Sequence, residues 1–226
     1  NFMITLNLLM ACREMGMARL VVACSNAVLF TASRERVVDV EFFESQSPFS
    51  ATEYGVEQLV KSFYSEYRLP VVTVRLFNTF GARQPGRAVI PSIISQALAG
   101  NTIHLRNADT EHDFTYISDT ERGFLLAGSA VGVEGGVFDL GTGNEIRLGD
   151  LAERIALKVS RKVEIIIEPQ SLAPAISSGV QPVSETPLAR TALGWEPQVS
   201  MDEGLDKTIA WMRLHMDLYP PGQYEF

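Results

Sequence analysis

The amino-acid sequence predicts an α/β protein built around a parallel sheet with helices on both faces. Three observations indicate this class: short continuous apolar runs, apolar residues at helical spacing between them, and glycine or proline where the segments end. The alternation of helix and strand is typical of βαβ units. With 226 residues, of which 46% are hydrophobic, the chain can form one large domain or two small ones.

The first half of the chain contains long elements with clear boundary signals. Gly16 interrupts the first helical pattern, and Ser47 followed by Pro48 is a typical helix start. The predicted elements are a helix over 3–17, a strand over 19–24, a loop over 25–46, a helix over 47–67, a strand over 70–76 and a loop over 78–87. These elements form the parallel βαβ part of the prediction.

The second half has shorter elements and one long loop rich in proline and serine. The predicted helices are 90–99, 119–129, 148–159, 186–193 and 201–216. The predicted strands are 102–105, 114–117, 136–140 and 163–167, and the long loop covers 168–185. Smaller elements after a region of longer ones suggest a second, smaller α/β unit.

Composition excludes several classes of partner. The net charge is -8, from 19 basic and 27 acidic side chains, and no block of Lys or Arg offers a surface to nucleic acid or an anionic membrane. No apolar stretch reaches the roughly 18 residues that a membrane span needs, and the N-terminus lacks a signal-peptide pattern. We expect a cytoplasmic protein. Cys12 and Cys24 lie in apolar contexts without metal-ligand spacing, so we expect buried free thiols and no metal site.

Seven stretches follow one another in an order that resembles a known family. They are residues 5–9 (TLNLL), 47–52 (SPFSAT), 76–81 (LFNTFG), 88–91 (AVIP), 112–116 (HDFTY), 139–143 (DLGTG) and 193–197 (LGWEP). The chain resembles the extended short-chain dehydrogenases, specifically the NAD-dependent nucleotide-sugar epimerases and 4,6-dehydratases. Among the subgroups it looks most like dehydratases acting on UDP-N-acetylglucosamine.

The resemblance implies a doubly wound, Rossmann-type parallel sheet that binds NAD, and a smaller C-terminal α/β domain that grips the nucleotide of the substrate. The implied domains are 1–86 with 118–147 and 87–117 with 148–226. The family's glycine-rich turn for the NAD pyrophosphate has no counterpart here, because Gly141-Thr142-Gly143 matches a later loop. We therefore expect a partial sheet that lacks the first βαβ units, with an edge that a partner or a rebuilt N-terminal segment covers.

The resemblance places the family's catalytic Tyr-x-x-x-Lys pair on the helix after Ser47. The matching residues here are Phe49 and Glu53. In the family the tyrosine exchanges the proton of the sugar hydroxyl, and the lysine holds the ribose and favours the phenolate. Phe49 has no proton to exchange, and a carboxylate would disfavour a nearby phenolate. Tyr54 is not a substitute, because one residue along a helix turns the side chain by about 100°.

The third family position follows the first strand. Ser25 matches the Ser or Thr that hydrogen-bonds the sugar hydroxyl, although a strand-end serine also commonly bonds the backbone. Asn26 and Ala27 lie where the dehydratases carry the acidic residue or pair that removes and returns protons. An amide does not titrate and alanine has no polar group, so only Ser25 remains of this part of the site.

The family's nucleotide-binding arginines are also replaced. Their positions match His112, Ala173 and Gln181, and none of these offers the permanently charged fork of arginine. The candidate substrate-binding residues are Asn78, Val89, Ile90 and His112, which leaves weak UDP-sugar binding open. A structural role is the alternative for two of these residues: Asn78 can cap its loop, and His112 can be a solvated loop side chain.

These observations lead to three hypotheses. The first is a catalytically degenerate family member that acts as a structural or regulatory subunit, with no cofactor predicted for this chain alone. It would form a homodimer, or a heteromer with an active relative, through helices 2–15 and 48–67, with Leu59, Val60 and Phe63 suited to the contact. The second is an active NAD-dependent dehydratase or epimerase. The third is a nucleotide-sugar sensor.

Overall fold

The parallel sheet predicted for the first half is present. The structure is a computed structural model that describes residues 1–29, 47–159, 162–168 and 187–220. The helices are α1 (Phe2–Met15), α2 (Pro48–Tyr67), α3 (Val89–Ala99), α4 (Ile117–Ser129), α5 (Leu148–Val159) and α6 (Met201–Leu214), with short helical turns at Asn26–Leu29, Ala189–Leu193 and Met216–Leu218. The strands are β1 (Leu20–Ser25), β2 (Val71–Leu76), β3 (Asn78–Phe80), β4 (Thr102–Leu105), β5 (Glu111–Tyr116), β6 (Val137–Leu140), β7 (Glu145–Arg147) and β8 (Glu164–Ile167).

The first sheet has the order β1-β2-β6, and both pairs of neighbours are parallel. Leu20 lies opposite Val71, and Thr73 lies opposite Val137. The first four residues of the central strand β2 are fully buried, as the continuous apolar run predicted for a strand covered on both faces. The carboxyl ends of β1, β2 and β6 therefore meet at one edge of this sheet.

Two smaller sheets complete the second half. One has the order β3-β5-β7 with β5 and β7 antiparallel, and the other pairs β4 with β8 in parallel. The strands β3 and β7 were not predicted, because three residues are too few to show a period of two. The strand β5 begins at Glu111, three residues before the predicted start. His112 and Asp113 are polar, so the apolar pattern did not indicate that this part of the strand is buried.

Helices α1 and α2 pack against each other beside the first sheet. Gly16 ends α1 in the left-handed conformation with φ 61°, and Ser47 begins α2 with a reciprocal capping box to Ser50. Val60 and Phe63 are buried against α1 and β2, so they contribute to the chain's own core and are not available for a contact between subunits. Leu59 packs against the same cluster.

The outer side of α1 differs from an ordinary packed helix. Of its residues only Leu9 and Cys12 are buried, although most of the helix is apolar. Met3, Leu8 and Met10 are exposed, so much of the apolar surface of α1 is not packed within the described residues.

The last part of the chain is fixed by one buried carboxylate. Asp119 Oδ2 accepts the backbone N–H groups of Gln198 (3.0 Å) and Val199 (2.9 Å). The indole N–H of Trp195 donates to the Asp119 carbonyl at 2.8 Å. Of the helix predicted over 186–193, residues 187–193 are helical and residue 186 lies outside the described residues, while α6 ends two residues earlier than predicted, at Leu214.

Candidate functional site

A cavity of about 310 Å³ lies at the carboxyl ends of β1 and β2. Its lining residues are Ala23, Cys24, Ser25, Asn26, Glu53, Leu76, Phe77 and Asn78. In open parallel sheets, ligands bind at this edge of the strands. The structure therefore brings together three of the residues that the sequence singled out: Ser25, Glu53 and Asn78.

Glu53 is the charged residue in this lining, and it is held in place from two sides. Its Oε2 accepts the backbone N–H of Ser25 at 2.8 Å, and its Oε1 accepts the Asn1 Nδ2 at 2.5 Å. Only 7% of Glu53 is exposed. The side chain reaches β1 because it lies in the second turn of α2, directly after the capping box that fixes where the helix begins.

The residues at the neighbouring family positions have different surroundings. Phe49 is 52% exposed and is not among the residues that line the cavity. Ala27 is buried, and its N–H donates to Ser25 Oγ at 3.1 Å, so the serine hydroxyl does bond the backbone. Asn26 is also buried, and its Nδ2 has no hydrogen-bond partner among the described residues.

A buried ionic network, which the sequence reasoning missed, lies next to the cavity. Both Arg75 Nε and Nη2 donate to the Glu57 carboxylate at 2.8 Å. Lys61 Nζ lies 2.9 Å from Glu57 Oε1, and Arg75 Nη1 lies 3.5 Å from Asp139 Oδ1. Burial raises the pKa of Glu57, but the bonds and charges of Arg75 and Lys61 outweigh it and hold the pKa below its ordinary value. In the sequence, an arginine inside the apolar run of β2 is the feature that could have predicted this network, because a buried cation requires an anionic partner.

The pKa of the Cys24 thiol reflects the burial and the negative charges of this region. Burial, followed by the charges of Glu57 and Glu53, raises the pKa of Cys24 to about 12. A thiol with such a pKa stays protonated and is a poor nucleophile. Both Cys12 and Cys24 are buried free thiols, as predicted.

The predicted nucleotide-binding residues are dispersed. Asn78 Nδ2 donates to the Asp113 carbonyl at 3.0 Å, which ties β3 to β5. His112 is only 8% exposed, and its Nε2 lies 3.0 Å from Thr110 Oγ1. The alternative of a solvated loop histidine was therefore wrong, because His112 lies within β5 and packs against Phe114.

Val89 and Ile90 both pack in the core around α3. Ile90 is buried in the core beneath α3, and Val89, the first residue of that helix, packs against the same core and is partly buried. Neither residue lines the cavity at Ser25. Ala173 and Gln181 lie outside the described residues.

A second cavity, of about 530 Å³, lies between the loop after β6 and the segment before α6. Its walls are held by two buried carboxylates. Asp113 accepts the N–H groups of Thr142 (3.0 Å) and Gly143 (2.9 Å), and Asp119 fixes the opposite segment. The lining side chains include Phe114 and Arg154.

In the described part of the chain, no group of three or more His, Cys, Asp or Glu side chains is placed to hold a metal ion. Within the same residues, no helix combines the length and the apolar character that a membrane span requires.

Comparison with known proteins identifies the family. Residues 1–208 match the family model described as GDP-mannose 4,6 dehydratase. The chain is 27% identical over 218 residues to a UDP-glucuronate 4-epimerase from Thermodesulfobacterium geofontis. The aligned region covers 95% of this chain and 65% of that protein. It is 29% identical over 193 residues to the human dTDP-D-glucose 4,6-dehydratase, and this aligned region covers 78% of this chain and 52% of that protein.

Solved structures share the fold. An epimerase from Methanothermobacter thermautotrophicus superposes with a TM-score of 0.86 at 24% identity, covering 98% of this chain and 67% of that one. A dTDP-glucose 4,6-dehydratase from Bacillus anthracis in complex with NAD superposes with a TM-score of 0.81 at 20% identity, covering 94% of this chain and 67% of that one. The Rossmann-type α/β class predicted from the sequence is confirmed, and the chain belongs to the NAD-dependent nucleotide-sugar epimerase and dehydratase family of the short-chain dehydrogenases.

Proposed function

We propose that this chain is a catalytically silent member of its family that serves as a structural or regulatory subunit in sugar-nucleotide metabolism. The observation that carries the proposal is the position of Glu53. A buried carboxylate bonded to the Ser25 N–H stands where the family's lysine is expected. Phe49, which stands at the tyrosine position, offers no proton and is half exposed to solvent.

The chemistry of hydride exchange explains why these replacements matter. The sugar hydroxyl must lose a proton as the hydride leaves, and a positioned acid or base typically contributes about 10² to 10⁴-fold to such a step. The nearest lysine on α2, Lys61, binds Glu57 and is two turns further along the helix. Nothing at Phe49, Glu53 or Ala27 replaces the tyrosine, the lysine and the acid together.

Turnover is the direct test of this proposal. Purified full-length protein should form no 4-keto sugar from UDP-N-acetylglucosamine and NAD, as followed by mass spectrometry of the nucleotide sugars. An active 4,6-dehydratase with its own substrate serves as the positive control in the same buffer. Accumulation of the 4-keto product at a rate above the heat-inactivated sample would contradict the proposal.

The second candidate is an active NAD-dependent dehydratase or epimerase. Two observations favour it: the family membership, and the cavity at the strand ends that retains Ser25. The residue at the family's lysine position, Glu53, does not favour this candidate. NAD binding at this edge would require Glu53 to accept ribose hydroxyls in place of a lysine donating to them, so we assign no cofactor to this chain alone. Protein that carries NAD through purification would favour this candidate.

Association with another subunit accounts for the exposed apolar face of α1. Ile4, Leu8 and Met15 form an exposed stripe on the outer side of this helix, next to the side that packs on α2. Exposed apolar side chains at helical spacing are typical of helix–helix contacts between subunits. We propose that α1, together with the exposed part of α2, forms the contact of a homodimer or of a heteromer with an active relative.

Charge on this stripe should break the dimer. We expect the full-length protein to sediment as a dimer at micromolar concentration, and the double variant Ile4→Glu/Leu8→Glu to sediment as a monomer with unchanged circular dichroism. Val131→Glu is the control, because Val131 is also an exposed apolar residue but lies beyond α4. A double variant that remains a dimer would show that the contact is elsewhere, and a monomeric wild type would contradict self-association.

A further inference from the structure

The cavity at Ser25 has an unusual charge. Glu53 is buried in its lining, while no lining residue is Lys or Arg. The neighbouring cations are engaged by other carboxylates, since Arg75 bonds Glu57 and Asp139 and Lys61 bonds Glu57. The pKa of Cys24, raised by burial and by the charges of Glu57 and Glu53, is consistent with a negative potential here. The uncompensated charge of the cavity is therefore that of Glu53.

The Glu53 and Ser25 oxygens suit a donor, whereas the Asn26 Nδ2, also in the lining, has no partner among the described residues and suits an acceptor. Each carboxylate oxygen of Glu53 carries one hydrogen bond, from Ser25 N–H or from Asn1, and a carboxylate oxygen has room for a second. The Ser25 hydroxyl oxygen accepts the Ala27 N–H and has a second lone pair. An ammonium group has three donors and no acceptor, so it complements this arrangement.

We propose that the cavity binds a protonated primary amine carried on a small polar molecule such as an amino sugar. The ammonium group donates to the Glu53 carboxylate and to Ser25 Oγ. The volume of about 310 Å³ is at the small end of the range for ligand sites and suits one sugar ring. The proposal rests on the proposed function in one respect, because Glu53 must not be occupied by a nucleotide cofactor.

The same charge predicts what the cavity rejects. A phosphate or carboxylate placed beside Glu53 would meet a like charge, and the burial of Glu53 limits how far solvent screens that charge. A neutral sugar would form the hydrogen bonds without the charge assistance. The expected order of affinity is therefore amine, then neutral hydroxyl, then anion.

The experiment compares three sugars of one shape. Binding of D-glucosamine, D-glucose and N-acetyl-D-glucosamine to the full-length protein is measured by calorimetry or ligand-observed NMR, at a pH where the free amine is protonated. Because charge-assisted hydrogen bonds contribute about twice as much as neutral ones, D-glucosamine should bind about tenfold more tightly than the other two. Equal affinities, or no binding of D-glucosamine, would overturn the proposal.

A matched pair of variants locates the effect. Glu53→Gln keeps an oxygen for the Ser25 N–H but removes the charge, and it should abolish the preference for D-glucosamine. Glu66→Gln, on the exposed end of the same helix, should leave the preference unchanged. A Glu53→Gln variant that folds and keeps the preference would overturn the proposal, and if it does not fold, the comparison of the three sugars on the wild type still decides. The turnover assay is independent: failure of amine binding without turnover refutes only this inference, whereas turnover refutes the proposed function.

Discussion

Replacing Glu57 with Gln is expected to lower the free energy of unfolding by about 3 kcal/mol, because the change leaves Arg75 buried with a weakened partner. The Glu57 side chain is only 2% exposed and receives two hydrogen bonds from Arg75 and one contact from Lys61. Asp139 lies further from the guanidinium, at 3.5 Å, so it does not replace the lost charge. Urea denaturation followed by circular dichroism measures the change.

The control for this variant is Glu203→Gln, which removes one partner of an exposed ion pair with Lys207. Exposed pairs contribute little, so its midpoint should match the wild type within error. Equal midpoints for Glu57→Gln and the wild type would contradict the importance of the network.

The Glu57 pKa also predicts a pH dependence. Its folded-state pKa is below the ordinary value, so its contribution to stability is fully present above the unfolded-state pKa and is lost as the pH falls through the folded-state pKa. The wild type should therefore lose stability in acid more steeply than Glu57→Gln does. Parallel acid profiles for the two proteins would contradict the assignment.

Replacing Trp195 with Ala is expected to cost about 3–5 kcal/mol, the usual range for removing a large aromatic side chain from a core. Trp195 has no exposed surface and packs in the cluster with Leu140 and Leu193. The indole N–H also fixes α4, through the Asp119 carbonyl, to the segment that precedes α6. Thermal or urea unfolding measures the loss.

Trp195→Phe separates packing from the hydrogen bond. It keeps most of the apolar volume and loses the indole N–H, so we expect a cost of about 1–2 kcal/mol, well below that of Trp195→Ala. Amide exchange at Gln198 and Val199 should accelerate more in Trp195→Ala than in Trp195→Phe. Identical unfolding curves for the two variants would show that the burial of the ring is not what stabilises this region.

The sequence predicted the parts of the fold that have strong local signals. The continuous apolar run of β2 and the Ser47-Pro48 start of α2 are visible without the structure, because a buried parallel strand and a capped helix each leave a local pattern. Short strands leave none, so β3 and β7 were missed. Their existence depends on pairing with β5, a contact between residues far apart in sequence.

In the candidate site, too, the residues could be identified from the sequence but the contacts between distant segments could not. The resemblance to the family singled out Ser25 and Glu53, and the structure places both in one cavity. The resemblance did not show that Glu53 bonds the Ser25 N–H, or that Arg75 is neutralised by Glu57 from a neighbouring helix. The prediction that His112 could be a solvated loop side chain failed because its burial depends on the pairing of β5 with β7, which the local sequence does not show.

Deuterium transfer tests the central claim most directly. Full-length protein is incubated with NAD and UDP-N-acetylglucosamine deuterated at C4, and mass spectrometry follows the label in the sugar and in the dinucleotide. Because Phe49 and Glu53 provide neither the proton transfer nor the cation that hydride exchange requires, the account predicts that the label stays at C4 of unchanged UDP-N-acetylglucosamine, as deuterium NMR of the recovered sugar reports. Deuterium at C6 of a 4-keto-6-deoxy sugar, at C4 of the epimer or in the nicotinamide would contradict the account.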